Sequence, residues 1–234
     1  VSATLRTVTV PALEAVPGLV HGFEQRLGPA GWEEREDALR RVAAALRDRG
    51  RLLALQQVHG TALVRAPWEG RPEADAALSD DPGLLLAIQT ADCLPVLVVD
   101  PVRRRVGAGH AGWRGTAAGV TSRLIEELVR SGSTAGDLLA ALGPGIGPCC
   151  YEVGEELREA FGPDGAAFFR SGPRGRPHLD VRAANVRQLL SAGLDPSRIH
   201  HADDCTACRV DLYHSYRREG AGAGRMVSFV GFAG

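Results

Sequence analysis

Lysine is absent from this 234-residue chain, and all 27 of its basic residues are arginines. The absence excludes a lysine Schiff base and the lysine of a phosphate-binding P-loop. A phosphate or carboxylate must therefore be held by arginine, by backbone N–H groups or by a metal. Asparagine and methionine occur once each, as Asn185 and Met226. So few thermolabile side chains point towards heat adaptation, although a GC-rich coding bias accounts for the same composition. Strong charge is also missing. The formal net charge of −1 supplies no global field for nucleic acid or an anionic membrane, while leaving room for a local basic pocket.

No apolar run approaches a membrane span; the longest is Leu94–Val99 with its flanks. No charged-then-apolar signal segment opens the sequence, and five cysteines is an odd number. The expectation is a soluble protein of the reducing cytoplasm, whose cysteines are ligands or core residues. A hydrophobic share of 44% and a charged share of 24% are ordinary for a folded protein. A chain of this length fits one domain, 1–234, with a core that needs no disulfide staples.

The first helix signal is Leu39, Val42, Ala43 and Leu46, spaced i, i+3, i+4 and i+7 and stopped near Gly50. Short apolar runs follow at Leu52–Leu55, Ala62–Arg65, Leu84–Thr90, Leu94–Asp100 and Val106–Ala108 and read as closely spaced strands. A second helix is predicted from about Thr116 to Arg130, then a strand over Leu138–Leu142 and a short helix around Val153–Phe161. Phe161–Pro177 reads as a surface loop. Asp180 caps a helix that turns Val186, Leu189 and Leu190 inward and stops at Gly193, and Met226–Phe232 is a closing strand. Consecutive strands followed by segregated helices argue against a doubly wound parallel sheet and for a mixed α/β sandwich.

Reactive residues gather where the apolar strands end: Gln57-Val58-His59-Gly60, Thr90-Ala91-Asp92-Cys93-Leu94-Pro95, and Gly107 to Gly115 around His110. Strand ends converge in space, and Gly107, Gly109, Ala111 and Gly112 let backbones approach. Two imidazoles and a thiolate suit Zn²⁺ and leave its fourth position open, as a catalytic zinc requires. Taken singly, a histidine at a strand end is more often a hydrogen-bonded structural residue and a cysteine a core filler. The spacing is not a compact zinc motif.

Five segments together, Gln57–Gly60, Ile88–Pro95, Gly107–Gly115, Gly143–Gly154 and Cys205–Gly220, resemble the laccase-domain family, also called the YfiH or YlmD family. TADC-x-P, a glycine-flanked histidine followed by AGWRGT, and GPxIGxCCYEVG occur here in that order, and the resemblance covers nearly the whole chain. It implies an α/β/β/α layered sandwich with mixed sheets, and His59, Cys93 and His110 as metal ligands. The start departs from the pattern: His21–Gly28 resembles HGF-x-x-R-x-GG, but Pro29 replaces a glycine and the stretch that usually follows is missing. That shortens one wall of the expected pocket.

Several further residues carry two readings each. Arg114, just before the predicted helix, is either a phosphate clamp, with Arg26 as a second, or a tie for its own loop. Asp92 points away from Cys93 in an extended chain, which favours a supporting role. Asp75 sits where the family has an aspartate, and would accept a proton or hold a ribose hydroxyl. Cys150, with Cys149 and Glu152, either lines the substrate pocket or forms a turn packed against the metal site. Cys205-Thr206-Ala207-Cys208 is a single CxxC pair, and with no second pair a four-cysteine zinc site is ruled out. His178 falls in the predicted loop, and His200 and His201 read as surface or supporting residues.

The resemblance implies an enzyme acting on purine nucleosides: phosphorolysis of adenosine, inosine and methylthioadenosine, and deamination of adenosine. The usual deaminase signature, HxE with PCxxC, is absent. The expected partners are a purine nucleoside and phosphate, with no nucleic acid and no membrane, in a monomer or homodimer. Two competing readings follow from the same residues. Two His and one Cys also make a trigonal copper site, and the family it resembles carries a polyphenol-oxidase label, although seven histidines are few for a multi-copper laccase. Alternatively, Cys93 as nucleophile and His110 as base would serve a hydrolase; the resemblance implies editing of peptidoglycan precursors as its task.

Overall fold

The computed structural model describes residues 5–27, 35–173 and 175–234. The departure at Gly28 and Pro29 lies outside the described residues. Thirteen strands are present among them: β1 (Thr7–Val8), β2 (Leu19–Glu24), β3 (Arg51–Ala54), β4 (Leu63–Arg65), β5 (Ala76–Ser79), β6 (Leu84–Thr90), β7 (Leu94–Asp100), β8 (Arg105–Ala111), β9 (Leu139–Leu142), β10 (Phe169–Ser171), β11 (Pro177–Leu179), β12 (Ile199–His201) and β13 (Met226–Phe232). The helices are α1 (Pro11–Glu14), α2 (Arg35–Leu46), α3 (Trp113–Ala117), α4 (Val120–Arg130), α5 (Glu156–Ala160), α6 (Val181–Ser191) and α7 (Tyr216–Glu219).

Two mixed sheets stack face to face. One has the order β1-β2-β13-β6-β3, the other β12-β9-β7-β8-β5-β4. Strand alternation explains the stacking. On β6, Leu86 and Ile88 face the second sheet, packing with Phe23 and Val230 of their own sheet and Leu97 and Val99 of the other, whereas Leu85 and Ala87 pack outward on Ala38, Leu39, Val42 and Leu46 of α2. On β7, Leu97 and Val99 face the first sheet while Val96 and Val98 meet Val120, Leu124, Ile125 and Leu128 of α4 and Leu189 of α6. Burial of both faces is why β7 reads as an unbroken apolar run. Each fully buried side chain of α4 contributes roughly 1.5–3 kcal/mol. The layers are α/β/β/α, as expected.

Four details differ from the sequence reading. The helix predicted from Thr116 to Arg130 is two helices, because Gly119 takes a left-handed φ of 84° between α3 and α4. The expected loop over Phe161–Pro177 contains a 3-10 turn at Pro163–Phe168 and the strand β10, which pairs with β11. His178 lies on β11 and is buried, with its Nδ1 2.6 Å from the Pro148 carbonyl. Leu190 is exposed, since the inward face of α6 runs through Val181, Ala184, Asn185 and Leu189. Asp180 does cap α6, accepting from the Ala183 N–H at 2.9 Å.

Candidate metal centre

The chain crosses between the two sheets at one end of the sandwich, and two of the three reactive residues sit on those crossings. The link from β3 to β4 carries His59, and the short arch from β6 to β7 carries Cys93. His110 lies within β8, not beyond it; Val106, Ala108 and His110 share one face of that strand, and the first two face the neighbouring sheet. A donor atom from each of His59, Cys93 and His110 lies within 4.8 Å of the other two, and the imidazole rings meet edge to face with centroids 4.8 Å apart.

Asp75 is the anchor beneath them. It is fully buried at the end of the β4–β5 link, and its Oδ1 lies 2.8 Å from His110 Nδ1. That contact leaves Nε2 of His110 for the cluster. The same carboxylate accepts from the N–H groups of His59 at 2.9 Å, Gly60 at 2.7 Å and Val58 at 3.2 Å. Burial raises the Asp75 carboxyl, but the His110 hydrogen bond and the backbone donors outweigh it and hold it below the ordinary range. Its acceptor capacity is spent on the scaffold, so the structure places Asp75 under the site, where neither a ribose hydroxyl nor a substrate proton reaches it. His59 has a left-handed φ of 63° and Asp92 one of 90°, each costing about 1–3 kcal/mol. Asp75 holds the first. Thr206 Oγ1 at 2.6 Å and the Arg217 N–H at 2.6 Å, both donating to Asp92, hold the second.

Burial also raises the Cys93 thiol, yet the charge and hydrogen bond of His110, with those of His59, bring it down to about 6. Burial lowers His110, and Cys93 and Asp75 overcome it and raise it to about 9. Without a metal the pair is a thiolate beside an imidazolium. Gly112 closes the cluster: a Cβ there would stand 3.0 Å from Cys93 Sγ and 3.1 Å from His59 Cδ2. Two imidazoles and a low-pKa thiolate, with one ring oriented by a carboxylate, form a donor set that fits zinc or copper.

The cluster opens into a cavity of about 510 Å³. Gln57, whose side-chain amide pairs with the Gln89 backbone at 2.8 Å in both directions, fixes one wall. Four arginines line the rest: Arg71, Arg114, Arg217 and Arg225. Arg114 lies 4.4 Å from the Trp113 ring centroid, stacked on that ring instead of tying down its loop, and Arg217 lies over Tyr151. Arg114 sits in α3, which is only five residues long.

Besides Asp75, two residues expected in this cavity sit elsewhere. Arg26 is buried against Glu219 at 3.3 Å and the Val210 carbonyl at 3.1 Å, and is not among the lining residues. Cys150 faces a separate hollow with Cys149, Glu152 and His178. His200 and His201, on β12, are also away from the cluster. Sequence reasoning missed Trp113, Tyr151, Tyr216, Arg71, Arg217 and Arg225. Trp113 and Tyr151 lie inside motifs that were legible, AGWRGT and GPxIGxCCYEVG, and Tyr216 and Arg217 lie inside the segment Cys205–Gly220.

The profile of the family described as multi-copper polyphenol oxidoreductase laccase matches residues 33–233. The chain belongs to this family. One relative in this laccase-like family is the purine nucleoside phosphorylase YlmD of Geobacillus stearothermophilus. It is 34% identical over 97% of this chain and 93% of its own. Another, adenosine deaminase RL5 from an unknown prokaryotic organism, is 37% identical over 64% of this chain and 59% of its own. The crystal structure of YlmD from Geobacillus stearothermophilus matches with a TM-score of 0.82 at 31% identity, covering 94% of this chain and 93% of that one. The family thus includes enzymes named for purine nucleoside chemistry, and this member carries a Cys/His cluster able to bind a metal. No helix among the described residues is long and apolar enough to cross a membrane.

Proposed function

We propose that this chain is a purine nucleoside phosphorylase that also deaminates adenosine, with zinc held by His59, Cys93 and His110. The observation that carries the reading is the convergence of those three donors on a cavity of about 510 Å³ lined by arginine and aromatic side chains. That volume lies within the range of small-molecule sites. Bound there, zinc would supply a Lewis acid with an open position. Phosphate is held by Arg114 and Arg217, the exposed guanidiniums of the cavity, since the chain has no lysine to do it. Trp113, Tyr151 and Tyr216 offer ring faces to a purine. Burial, reinforced by the Cys93 charge, pushes the Tyr151 phenol up, so it stays a hydrogen-bond donor at neutral pH. In phosphorolysis a phosphate oxygen bonds to ribose C1′ as the C1′–N9 bond breaks. The purine leaves with the bonding pair and takes up a proton.

The relatives named for phosphorolysis and deamination support this assignment at the level of the family. The test is to incubate purified protein with adenosine, inosine or methylthioadenosine and phosphate and to separate the products. Free base with ribose 1-phosphate (or its methylthio analogue), formed only with phosphate present, is the expected result. Nucleosides left intact would overturn the reading.

A second reading is favoured by one observation. Cys93, His110 and Asp75 form a chain of thiolate, imidazolium and carboxylate, which is the arrangement of a cysteine hydrolase. Such an enzyme keeps its activity in chelator and loses it to iodoacetamide, whereas the metal-dependent phosphorylase loses activity to chelator alone.

A further inference from the structure

The other four cysteines are brought together by two turns far apart in the sequence. In the first, the Cys150 and Tyr151 N–H groups donate to the Gly147 carbonyl at 3.0 and 3.1 Å. In the second, the Cys208 and Arg209 N–H groups donate to the Cys205 carbonyl at 3.2 and 3.0 Å. A parallel bridge between Gly145 and Cys205, with Thr206 N–H donating to the Gly145 carbonyl at 3.1 Å, sets the turns edge to edge. Cys208 Sγ then lies 3.3 Å from Cys150 Sγ and 3.6 Å from Cys149 Sγ, and all four sulfurs fall within 4.8 Å of one another. The expectation that a single CxxC pair rules out four-sulfur geometry is therefore corrected. The adjacent Cys149 and Cys150 supply the second pair.

We propose that Cys149, Cys150, Cys205 and Cys208 form a second metal site, a closed four-thiolate site for zinc. A tetrahedron with Zn–S bonds of about 2.3 Å has sulfur–sulfur edges of about 3.8 Å. The Cys208–Cys150 and Cys208–Cys149 separations of 3.3 and 3.6 Å lie just inside that edge, all four sulfurs are within 4.8 Å of one another, and none of this is the roughly 2.05 Å of a disulfide. Supporting groups are in place. The Gly147 N–H donates to Cys205 Sγ at 3.2 Å, the kind of backbone bond that orients a ligand sulfur. Arg217, bonded to the Cys150 carbonyl, Arg218, bonded to the Thr206 and Ala207 carbonyls, and Arg182 offset the excess negative charge of four thiolates around a dication. Binding is an exchange of protons for metal: four S–H protons pass to solvent as four Zn–S bonds form, with no change of oxidation state.

Four protein ligands leave no open position, so the site is structural. It fastens the loop that carries Ile146 and Tyr151 to the segment that carries Tyr216 and Arg217, and both line the cavity. Thr206, between the cysteines of the CxxC pair, is also the residue that donates to Asp92 beside Cys93. The second metal thus braces one wall of the first site.

The test is zinc content of the purified protein and of two double variants, Cys205→Ser/Cys208→Ser and His59→Ala/Cys93→Ala. Removal of Cys205 and Cys208 is expected to lower zinc by about one ion per chain. In the His59→Ala/Cys93→Ala protein, X-ray absorption at the zinc edge is expected to show one zinc with an all-sulfur shell, whether or not the other site binds metal. Folding of each variant is checked by circular dichroism. Should the Cys205→Ser/Cys208→Ser protein misfold, the absorption measurement decides alone. Zinc content unchanged in Cys205→Ser/Cys208→Ser, nitrogen or oxygen in the shell of His59→Ala/Cys93→Ala, or zinc-free protein with these cysteines oxidised would each overturn the proposal.

Discussion

Replacing Asp75 with asparagine tests the scaffold of the metal centre with almost no change of shape. The carboxylate accepts four contacts: His59 N–H and His110 Nδ1 on Oδ1, Val58 N–H and Gly60 N–H on Oδ2. An amide keeps one oxygen. With that oxygen on the Oδ1 side, the new NH2 group faces two backbone donors at the Oδ2 position. Each lost acceptor costs about 1–3 kcal/mol, and both donors are only part-buried, so the total is about 2–4 kcal/mol. For a chain of this size that is a fall in Tm of roughly 4–16 °C. His110 also loses the charge that orients it and raises its basicity, which lowers metal affinity about 10–100-fold. Thermal unfolding and zinc competition against a chelator read the two effects separately. Asp75→Asn protein with unchanged Tm and zinc affinity would refute the view that this carboxylate organises the site.

Three other outcomes follow from the same geometry. Gly112→Ala places a methyl group 3.0 Å from Cys93 Sγ, so metal affinity should fall about tenfold or more while Tm holds; unchanged affinity contradicts the packing argument. In chelator-treated protein, Cys93 is thiolate above about pH 6 and thiol below it, so its alkylation by iodoacetamide should fall off as pH drops through 6. A midpoint near the ordinary thiol value of about 8.5, read by peptide mass mapping, would show that the imidazoles do not stabilise the thiolate. Arg114→Ala should raise the KM for phosphate about 10–100-fold with kcat little changed, as expected when a ground-state charge-assisted contact is removed. An effect on kcat alone would place Arg114 in the chemical step.

Much of the sandwich was legible because its central strands bury both faces. Leu84–Thr90, Leu94–Asp100 and Met226–Phe232 fall where the apolar runs said they would. The strand Leu19–Glu24 was not, because its polar residues are neutralised by partners distant in sequence: Glu24 pairs with Arg41 and accepts from the Val227 N–H. Ala76–Ser79 is too small and mixed to signal a strand. The His59–Cys93–His110 cluster was visible through its motifs, but its topology was not, since nothing local says that His59 and Cys93 lie on crossings between sheets. Arg26 as a second phosphate clamp and Cys150 as a pocket residue were not borne out, because folding sends both side chains elsewhere. The arginines of the cavity come from four separate segments, and the four-cysteine cluster from two, so only the fold assembles them.

The central claim is that nucleoside chemistry depends on a metal held by His59, Cys93 and His110. The most direct measurement is phosphate-dependent turnover of adenosine and inosine by wild-type, Cys93→Ala and His110→Ala proteins, each shown to be folded and each analysed for metal. The account predicts that each variant lacks about one metal ion per chain and has lost turnover by orders of magnitude. Variants with undiminished metal and full activity would contradict it.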